Sequence, residues 1–293
     1  MKFYIVDVFA EEKYAGNQLA VIRGAARLSD ETMQALAREM NYSETTFILR
    51  DTPTNGGFDV RIFTPVEELL FAGHPTLGTA YVIQREIIGE PVENVNLNLG
   101  VGQIPVKISY AAGEPTELWM HQKPPNFDAT FQPEVLATVL NLQLEDIDSR
   151  FPIQDVSTGL PFIIVPLRSK DGIERCKVNV DAYHTLVETS RAKAIFVFCP
   201  EAQHSQNDLH ARMFAYHHLN IVEDPATGSA NGCLAGYLVK HRYFGSDRIE
   251  VRVEQGYMIN RPSLLLLRAE DKPDGIDVFV GGNVIKVAEG ELV

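Results

Sequence analysis

The feature that most restricts what this chain can fold into is that it repeats itself. Val60-Arg-Ile-Phe-Thr64 is echoed by Ala211-Arg-Met-Phe-Ala215, and His74-Pro-Thr-Leu-Gly-Thr-Ala80 by Asp224-Pro-Ala-Thr-Gly-Ser-Ala230. The arginines (61 and 212) are offset by 151 and the loops (74 and 224) by 150, so a single gap aligns both pieces. An apolar stretch with a tyrosine follows each loop, AYVIQREIIG and then GYLVKHRYFG. A period of this length is far beyond the roughly 20–50 residues of a solenoid. It implies two halves related by a pseudo-two-fold axis. The expected lobes are 1–117 with a closing strand at 278–293, and 118–277, with a ligand cleft between them.

Local pattern fills in the halves. Lys2–Val8, Leu19–Arg23, Glu44–Arg50 and Phe58–Phe63 are β-branched or aromatic runs broken by Gly, Asn and Pro, which reads as strands. Leu28–Met40 reads as a helix with Ser29 as N-cap and Met33, Leu36 and Ala37 at helical spacing. Pro75–Ile88 reads as a second helix closed by Gly89, and strands alternating with single helices resume after Lys123–Pro125. The class is α+β.

Composition removes several functions. A net charge of −13 opposes nucleic-acid binding, which needs basic patches against phosphates. No apolar run approaches the ~20 residues of a membrane helix, and the N-terminus reads as a strand rather than a signal peptide. A cytoplasmic location is expected by default. Cys176, Cys199 and Cys233 are odd in number and widely spaced, which fits neither a disulfide framework nor a zinc site. They are expected to be buried, reduced thiols. His217-His218 with Glu223-Asp224 invites a metal reading, but adjacent histidines on a strand face opposite ways, so no metal is expected.

Each repeated loop joins a glycine, a hydroxyl residue and the start of an apolar helix. A helix N-terminus presents unpartnered N–H groups and partial positive charge, glycine admits a close ligand, and Thr79 and Ser229 add hydroxyls. Gly78 with Thr79 and Gly228 with Ser229 are therefore candidate binding residues for a carboxylate or phosphate. The competing reading is an ordinary pair of N-caps. No P-loop is present, and Thr227-Gly-Ser-Ala-Asn-Gly232 misses the G-x-S-x-G elbow of a serine hydrolase.

Asn41-Tyr-Ser-Glu-Thr-Thr-Phe47, Arg61-Ile-Phe-Thr-Pro65, Phe71-Ala-Gly-His-Pro-Thr-Leu-Gly-Thr-Ala80 and Glu223-Asp-Pro-Ala-Thr-Gly-Ser-Ala-Asn-Gly232 resemble the phenazine-biosynthesis PhzF-like family. Gly16-Asn17, Ser157-Thr-Gly159, Gln255-Gly256 and Val280-Gly-Gly282 extend the likeness over essentially the whole chain. The resemblance implies the diaminopimelate epimerase-like fold, two lobes each with a β-barrel-like sheet around a central helix, and a homodimer. It implies a cofactor-free isomerase acting on a small anionic metabolite. Glu44 matches the family's acid/base, and His74, Asp224 and Ser229 match its other site residues. The epimerase relatives use one cysteine per lobe, whereas Gly73-His74 and Asp224 occupy the corresponding loops here. A carboxylate then carries the proton, with His74 and Asp224 orienting substrate and the amides near Gly73 and Gly228 stabilising its charge. Two segments depart from the family pattern, Tyr216-His-His-Leu-Asn220 and Asn260, where Gly is usual. The alternative to an isomerase is a non-catalytic protein that binds small anions at its two helix-end loops.

Overall fold

The structure is a computed structural model that describes residues 1–216 and 222–293. The chain runs β1 (Lys2–Val8), β2 (Asn17–Arg23), α1 (Asp30–Met40), β3 (Glu44–Ile48), β4 (Phe58–Phe63), β5 (Glu68–Leu69), α2 (Gly73–Ile83), β6 (Asn94–Leu99), β7 (Gly102–Ala111) and β8 (Glu114–His121). It continues with β9 (Asn126–Phe131), α3 (Pro133–Leu140), β10 (Ile153–Ser157), β11 (Pro161–Pro166), α4 (Lys170–Arg175), α5 (Val180–Thr189), β12 (Ala194–Cys199) and β13 (Leu209–Phe214). The last elements are β14 (Glu223–Asp224), α6 (Gly228–Lys240), β15 (Arg248–Gln255), β16 (Ser263–Lys272) and β17 (Gly275–Glu291). Two units result, Met1–His121 with Gly281–Val293, and Gln122–Val280. The breaks expected at 117 and 277 fall inside β8 and β17.

In the first unit the strands close on themselves. β1 pairs with β2, β2 with β3 in parallel, β3 with β4, β4 with β6 in parallel, and β6 with β7. β7 pairs with β8, β8 with β17, and β17 returns to β1. This closed eight-strand barrel leaves no free edge. Its interior is occupied by α2, whose sequence GHPTLGTAYVI is uncharged and buried at every position except Tyr81. A helix apolar on all sides belongs in a core. Gly78 lets it lie close: a Cβ there would stand 2.6 Å from Leu19 Cδ2 and 2.8 Å from Val8 Cγ2. The helix starts at Gly73, two residues before Pro75, and passes into a π turn over Gln84–Ile88 that Gly89 closes in the left-handed conformation. α1 begins as expected, with Ser29 accepting from the Thr32 amide, and packs Met33 and Ala37 against Ile22, Phe47 and Phe63.

The second unit repeats the plan with more outside cover. β9, β10, β11, β12, β13, β15 and β16 form one continuous sheet, with β11–β12 and β13–β15 parallel. Alternate residues of β11 and β12 serve opposite faces. Ile163, Val165, Ile195 and Val197 join the cluster built with α3 and α5 residues such as Leu136, Tyr183 and Val187. Phe198 turns the other way and meets Tyr237 of α6 at 5.8 Å between ring centroids. α6 is buried from Ala230 to Val239. Among the described residues no helix is long and apolar enough to cross a membrane.

The turn after β15 depends on one residue. Gly256 has φ +80, and a Cβ there would stand 2.3 Å from the Arg261 carbonyl and 2.6 Å from that of Pro225. Both the left-handed backbone and two main-chain neighbours oppose any side chain. Gly256→Ala is expected to lower stability by about 2 kcal/mol or more. Urea unfolding followed by circular dichroism checks this.

Candidate active site

The repeat is real in three dimensions, but its register differs from the sequence alignment. β4 and β13 agree with it: each has six residues, Arg fourth and Phe sixth. The connection to the next short strand then lengthens, from Phe63 to Glu68 in one half and from Phe214 to Glu223 in the other. The helices consequently begin at Gly73 and Gly228, an offset of 155 rather than 150. Gly73-His74 and Gly228-Ser229 are thus the equivalent helix ends. Pro75 lies inside α2, whereas Pro225 lies in the loop before α6.

Two expected binding residues do not lie at a helix end as a result. Gly78 and Thr79 are more than one turn inside α2 and fully buried. Gly78 serves the close packing on Leu19 and Val8, and the Thr79 hydroxyl donates to Thr46 Oγ1 at 2.8 Å. That hydroxyl proton ties α2 to β3 and is not available to a ligand.

Glu44 and His74 do come together. Glu44 opens β3, opposite Leu19 of the parallel strand β2, and Thr46 lies two residues on, on the same face. That face looks at α2, so the contact that joins Thr46 to Thr79 is accompanied by one between Glu44 and His74. His74 Nε2 stands 3.4 Å from Glu44 Oε2, with the side chains 7% and 16% exposed. Burial pushes the His74 imidazole down from an ordinary 6.5 to about 3, while the Gln18 main chain acts more weakly in the opposite direction. A contact that favours the protonated ring is one with an acceptor, the Gln18 carbonyl. Nε2 has no hydrogen-bond partner among the described residues, so Nδ1 makes that contact. His74 is therefore neutral at pH 7, and its Nε2 lies 3.4 Å from the carboxyl group without a hydrogen bond between them.

The second unit holds Asp224 in a buried network. The Thr227 hydroxyl donates to Asp224 Oδ2 at 2.5 Å, and Gln255 Nε2 donates to the Asp224 carbonyl at 2.9 Å and to Thr227 Oγ1 at 3.0 Å. Gln255 Oε1 accepts from the Thr227 amide and from Asn231 Nδ2. Because the Thr227 hydroxyl is engaged with Asp224, it does not cap α6. Neither central helix has a side-chain cap or an acid in its first turn, whereas α1, α4 and α5 are capped by Ser29, Ser169 and Asn179. Gly73 and His74 in α2, and Gly228, Ser229 and Ala230 in α6, precede the first helical hydrogen bonds of Thr76 to Ala72 and Asn231 to Thr227. Ser229, half-buried, adds its hydroxyl at the α6 end.

Sequence reasoning missed Thr46, Thr227, Asn231 and Gln255 as supports of the site. Gln255 belonged to a recognised motif, but nothing in the chain announces which carbonyl its amide reaches. The three cysteines are free and buried. Burial pushes the Cys176 and Cys233 thiols up to about 12 and Cys199 up to about 11, so none supplies a thiolate at neutral pH. Among the described residues no three potential ligands gather around a metal position. His217, His218 and Asn220 lie outside the described residues. Asn260 takes φ 56 and ψ 33, a left-handed conformation that Asn tolerates better than other side chains. The exchange of Gly for Asn is thus accommodated by the backbone.

A closed barrel of strands around a central helix thus holds the Glu44 carboxyl group close to a neutral His74. A probable proline racemase from Agrobacterium radiobacter shares the fold, with a TM-score of 0.63 at 9% identity over 100% of this chain and 92% of the other. The family model described as "Phenazine biosynthesis-like protein" matches residues 6–290, and the chain belongs to this PhzF family. A PhzF-family phenazine biosynthesis protein from Bacillus anthracis is similar in structure, with a TM-score of 0.90 at 26% identity, covering 100% and 99% of the two chains. The trans-2,3-dihydro-3-hydroxyanthranilate isomerase of Pseudomonas aeruginosa is 34% identical over 99% of this chain and 98% of its own. An uncharacterised isomerase of Clostridium acetobutylicum is 31% identical over 99% and 97%. The chain is an isomerase.

Buried neutral histidines give the fold an acid limit. Burial lowers His74 to about 3 and His210, fully enclosed on β13, to about 4, from 6.5 in the unfolded chain. Below pH 6.5 the unfolded state binds protons that the folded state refuses, so stability falls as pH falls. The His210 contribution is complete above pH 6.5 and lost on descending to about 4. Each group weighs roughly 1.4 kcal/mol per pH unit across its window. Urea midpoints between pH 7 and 4 are expected to fall steadily, and His210→Phe to flatten the slope.

Proposed function

We propose that this isomerase moves a proton on a small carboxylate-bearing substrate, without a cofactor, and that Glu44 is the acid/base. The observation that carries the reading is the half-buried Glu44 carboxyl standing 3.4 Å from Nε2 of a neutral His74. A proton relay needs a group that takes a proton from carbon, holds it without losing it to water, and returns it. The carboxyl group can do the first and last. His74 Nε2, with its Nδ1 engaged by Gln18, accepts a hydrogen bond from the protonated carboxyl and so keeps the proton in place. The shielded position slows exchange with solvent.

In the first unit the main-chain N–H groups of Gly73 and His74 bind and stabilise charge that develops on the substrate. In the second unit the α6 end offers the N–H groups of Gly228, Ser229 and Ala230 and the Ser229 hydroxyl for an anionic group, with Asp224 close by in the same unit to orient a polar one. The absence of a side-chain cap on both helices supports an anion-binding role over ordinary capping, because the end charges are left for a ligand. Relatives at 34% and 35% identity are named for trans-2,3-dihydro-3-hydroxyanthranilate, a ring carboxylate with amino and hydroxyl groups, and it is the first compound to test.

The test is a set of small amino and hydroxy carboxylates, that compound included, incubated in D2O and followed by proton NMR. A carbon-bound proton of the substrate is expected to exchange or migrate with the wild-type protein. Glu44→Gln is expected to slow this by about 100-fold or more, the range for loss of a general acid/base. His74→Asn is expected to slow it less, since the carboxyl remains. Full turnover by Glu44→Gln would remove Glu44 from the mechanism. Tight binding with no exchange would instead support a non-catalytic binding protein.

A further inference from the structure

The repeated arginines take no part in the reaction outlined above, yet both make the same construction. Arg61 grips Glu68 with Nε and Nη2 at 2.7 and 2.6 Å, and Arg212 grips Glu223 at 2.9 and 2.8 Å. Each guanidinium also stacks over the phenylalanine two residues on, Arg61 over Phe63 at 5.1 Å and Arg212 over Phe214 at 4.8 Å. Each extends Nη1 to an outer helix: Arg61 to Asp30 at the start of α1, and Arg212 to the Ile173 and Cys176 carbonyls at the end of α4. Both gripped glutamates stand at the head of a two-residue strand, five residues before the glycine that starts the central helix.

The two forks differ in burial and in their neighbours. The Arg61 and Glu68 side chains are 25% and 38% exposed, and Leu69 follows. The Arg212 and Glu223 side chains are 9% and 7% exposed, and Asp224 follows. Adjacent strand residues point to opposite faces. With Glu223 fixed toward Arg212 and α4, the next side chain turns the other way, where Asp224 receives the Thr227 hydroxyl. We infer that Arg212 and Glu223 are positioning residues, which set the rotation of the short strand and thereby hold Asp224 at the first turn of α6. This rests on Asp224 belonging to the site proposed above.

A fork is required for this, not merely a charge. Two parallel N–H···O bonds fix the plane of a carboxylate, whereas a lysine ammonium presents a compact charge that lets it rotate. Arg212→Lys therefore keeps the charge and removes the alignment. Glu223→Gln keeps the shape and removes one acceptor, and serves if the lysine variant fails to fold. Arg191→Lys is the control, since Arg191 pairs with the buried Asp155 of β10 in the same unit and bonds to neither Arg212 nor Glu223.

The experiment is residue-resolved hydrogen exchange by NMR, with turnover measured in parallel on any compound the wild-type protein converts. The amides to follow are Thr227, bonded to Gln255 Oε1, and Asn231, bonded to the Thr227 carbonyl. Arg212→Lys and Glu223→Gln are expected to speed their exchange at least about 10-fold relative to Tyr237–Val239 in the same helix, and Arg191→Lys is not. On a converted substrate, kcat is expected to fall about 10- to 100-fold with KM little changed. Unchanged exchange, or an equal acceleration along all of α6, overturns the positioning role. So does a localised acceleration that leaves kcat intact. If Glu44→Gln retains full turnover, the proton-transfer reading fails while the exchange result still decides this one.

Discussion

Everything that distinguishes the first unit follows from enclosing α2 completely. An uncharged helix inside a closed ring of strands has no solvent at its sides, so its polar groups must find partners within the ring or act on a ligand. Thr76 turns back to the Ala72 carbonyl, and Thr79 crosses to Thr46. His74 is the exception. Its Nδ1 is engaged by Gln18, and its Nε2 looks toward Glu44. The same enclosure that would make a charged imidazole costly keeps it neutral, and a neutral imidazole is the neighbour that the role proposed for Glu44 requires. Packing and chemistry are here one constraint.

The second unit meets the same constraint with different residues. α6 has Ser229 where α2 has His74, and its first turn is supported from the side by Thr227, Gln255 and Asn231 rather than by a strand carboxyl group. Gln255 bonds at once to the Asp224 carbonyl, the Thr227 hydroxyl and the Thr227 amide. Buried networks of this kind rigidify a site to the extent that their members are satisfied together, and here Asn231 Oδ1 has no hydrogen-bond partner among the described residues. Gly256, which no side chain can replace without meeting the Arg261 and Pro225 carbonyls, turns the backbone just after Gln255.

The sequence made some of this legible and hid the rest for definite reasons. Ser29, the spacing of Met33 and Ala37, and the strand Phe58–Phe63 depend on neighbours a few residues away, and they stand where pattern places them. The repeat was legible through Arg-x-Phe, because side-chain order along paired strands is strict. Its helix ends were misaligned by five residues, because Pro-x-x-Gly-hydroxyl-Ala occurs at different depths in the two helices. In α6 that glycine begins the helix, and in α2 it lies inside it to let Leu19 and Val8 approach. A glycine needed for close packing and a glycine at a helix start are the same letter. The partners of Arg61 and Arg212 were hidden likewise, since one glutamate follows by seven residues and the other by eleven.

The corrected register also bears on which groups this fold offers for the proton transfer proposed above. The two helix ends are equivalent positions, so a residue at either is presented in the same way to whatever lies before the helix. Thiols at such ends would benefit from the positive end of the helix, which favours a thiolate. Here the three thiols are in the interior, where burial raises them to about 11 and 12 and favours the neutral form. The acidic group proposed for the reaction lies instead at the start of β3, 3.4 Å from His74 at the helix end and not on the helix. A carboxyl group needs no helix charge to ionise near neutral pH. In the reading proposed above it needs a neighbour that holds its proton when it has one, and His74 at the α2 end stands where that neighbour is required.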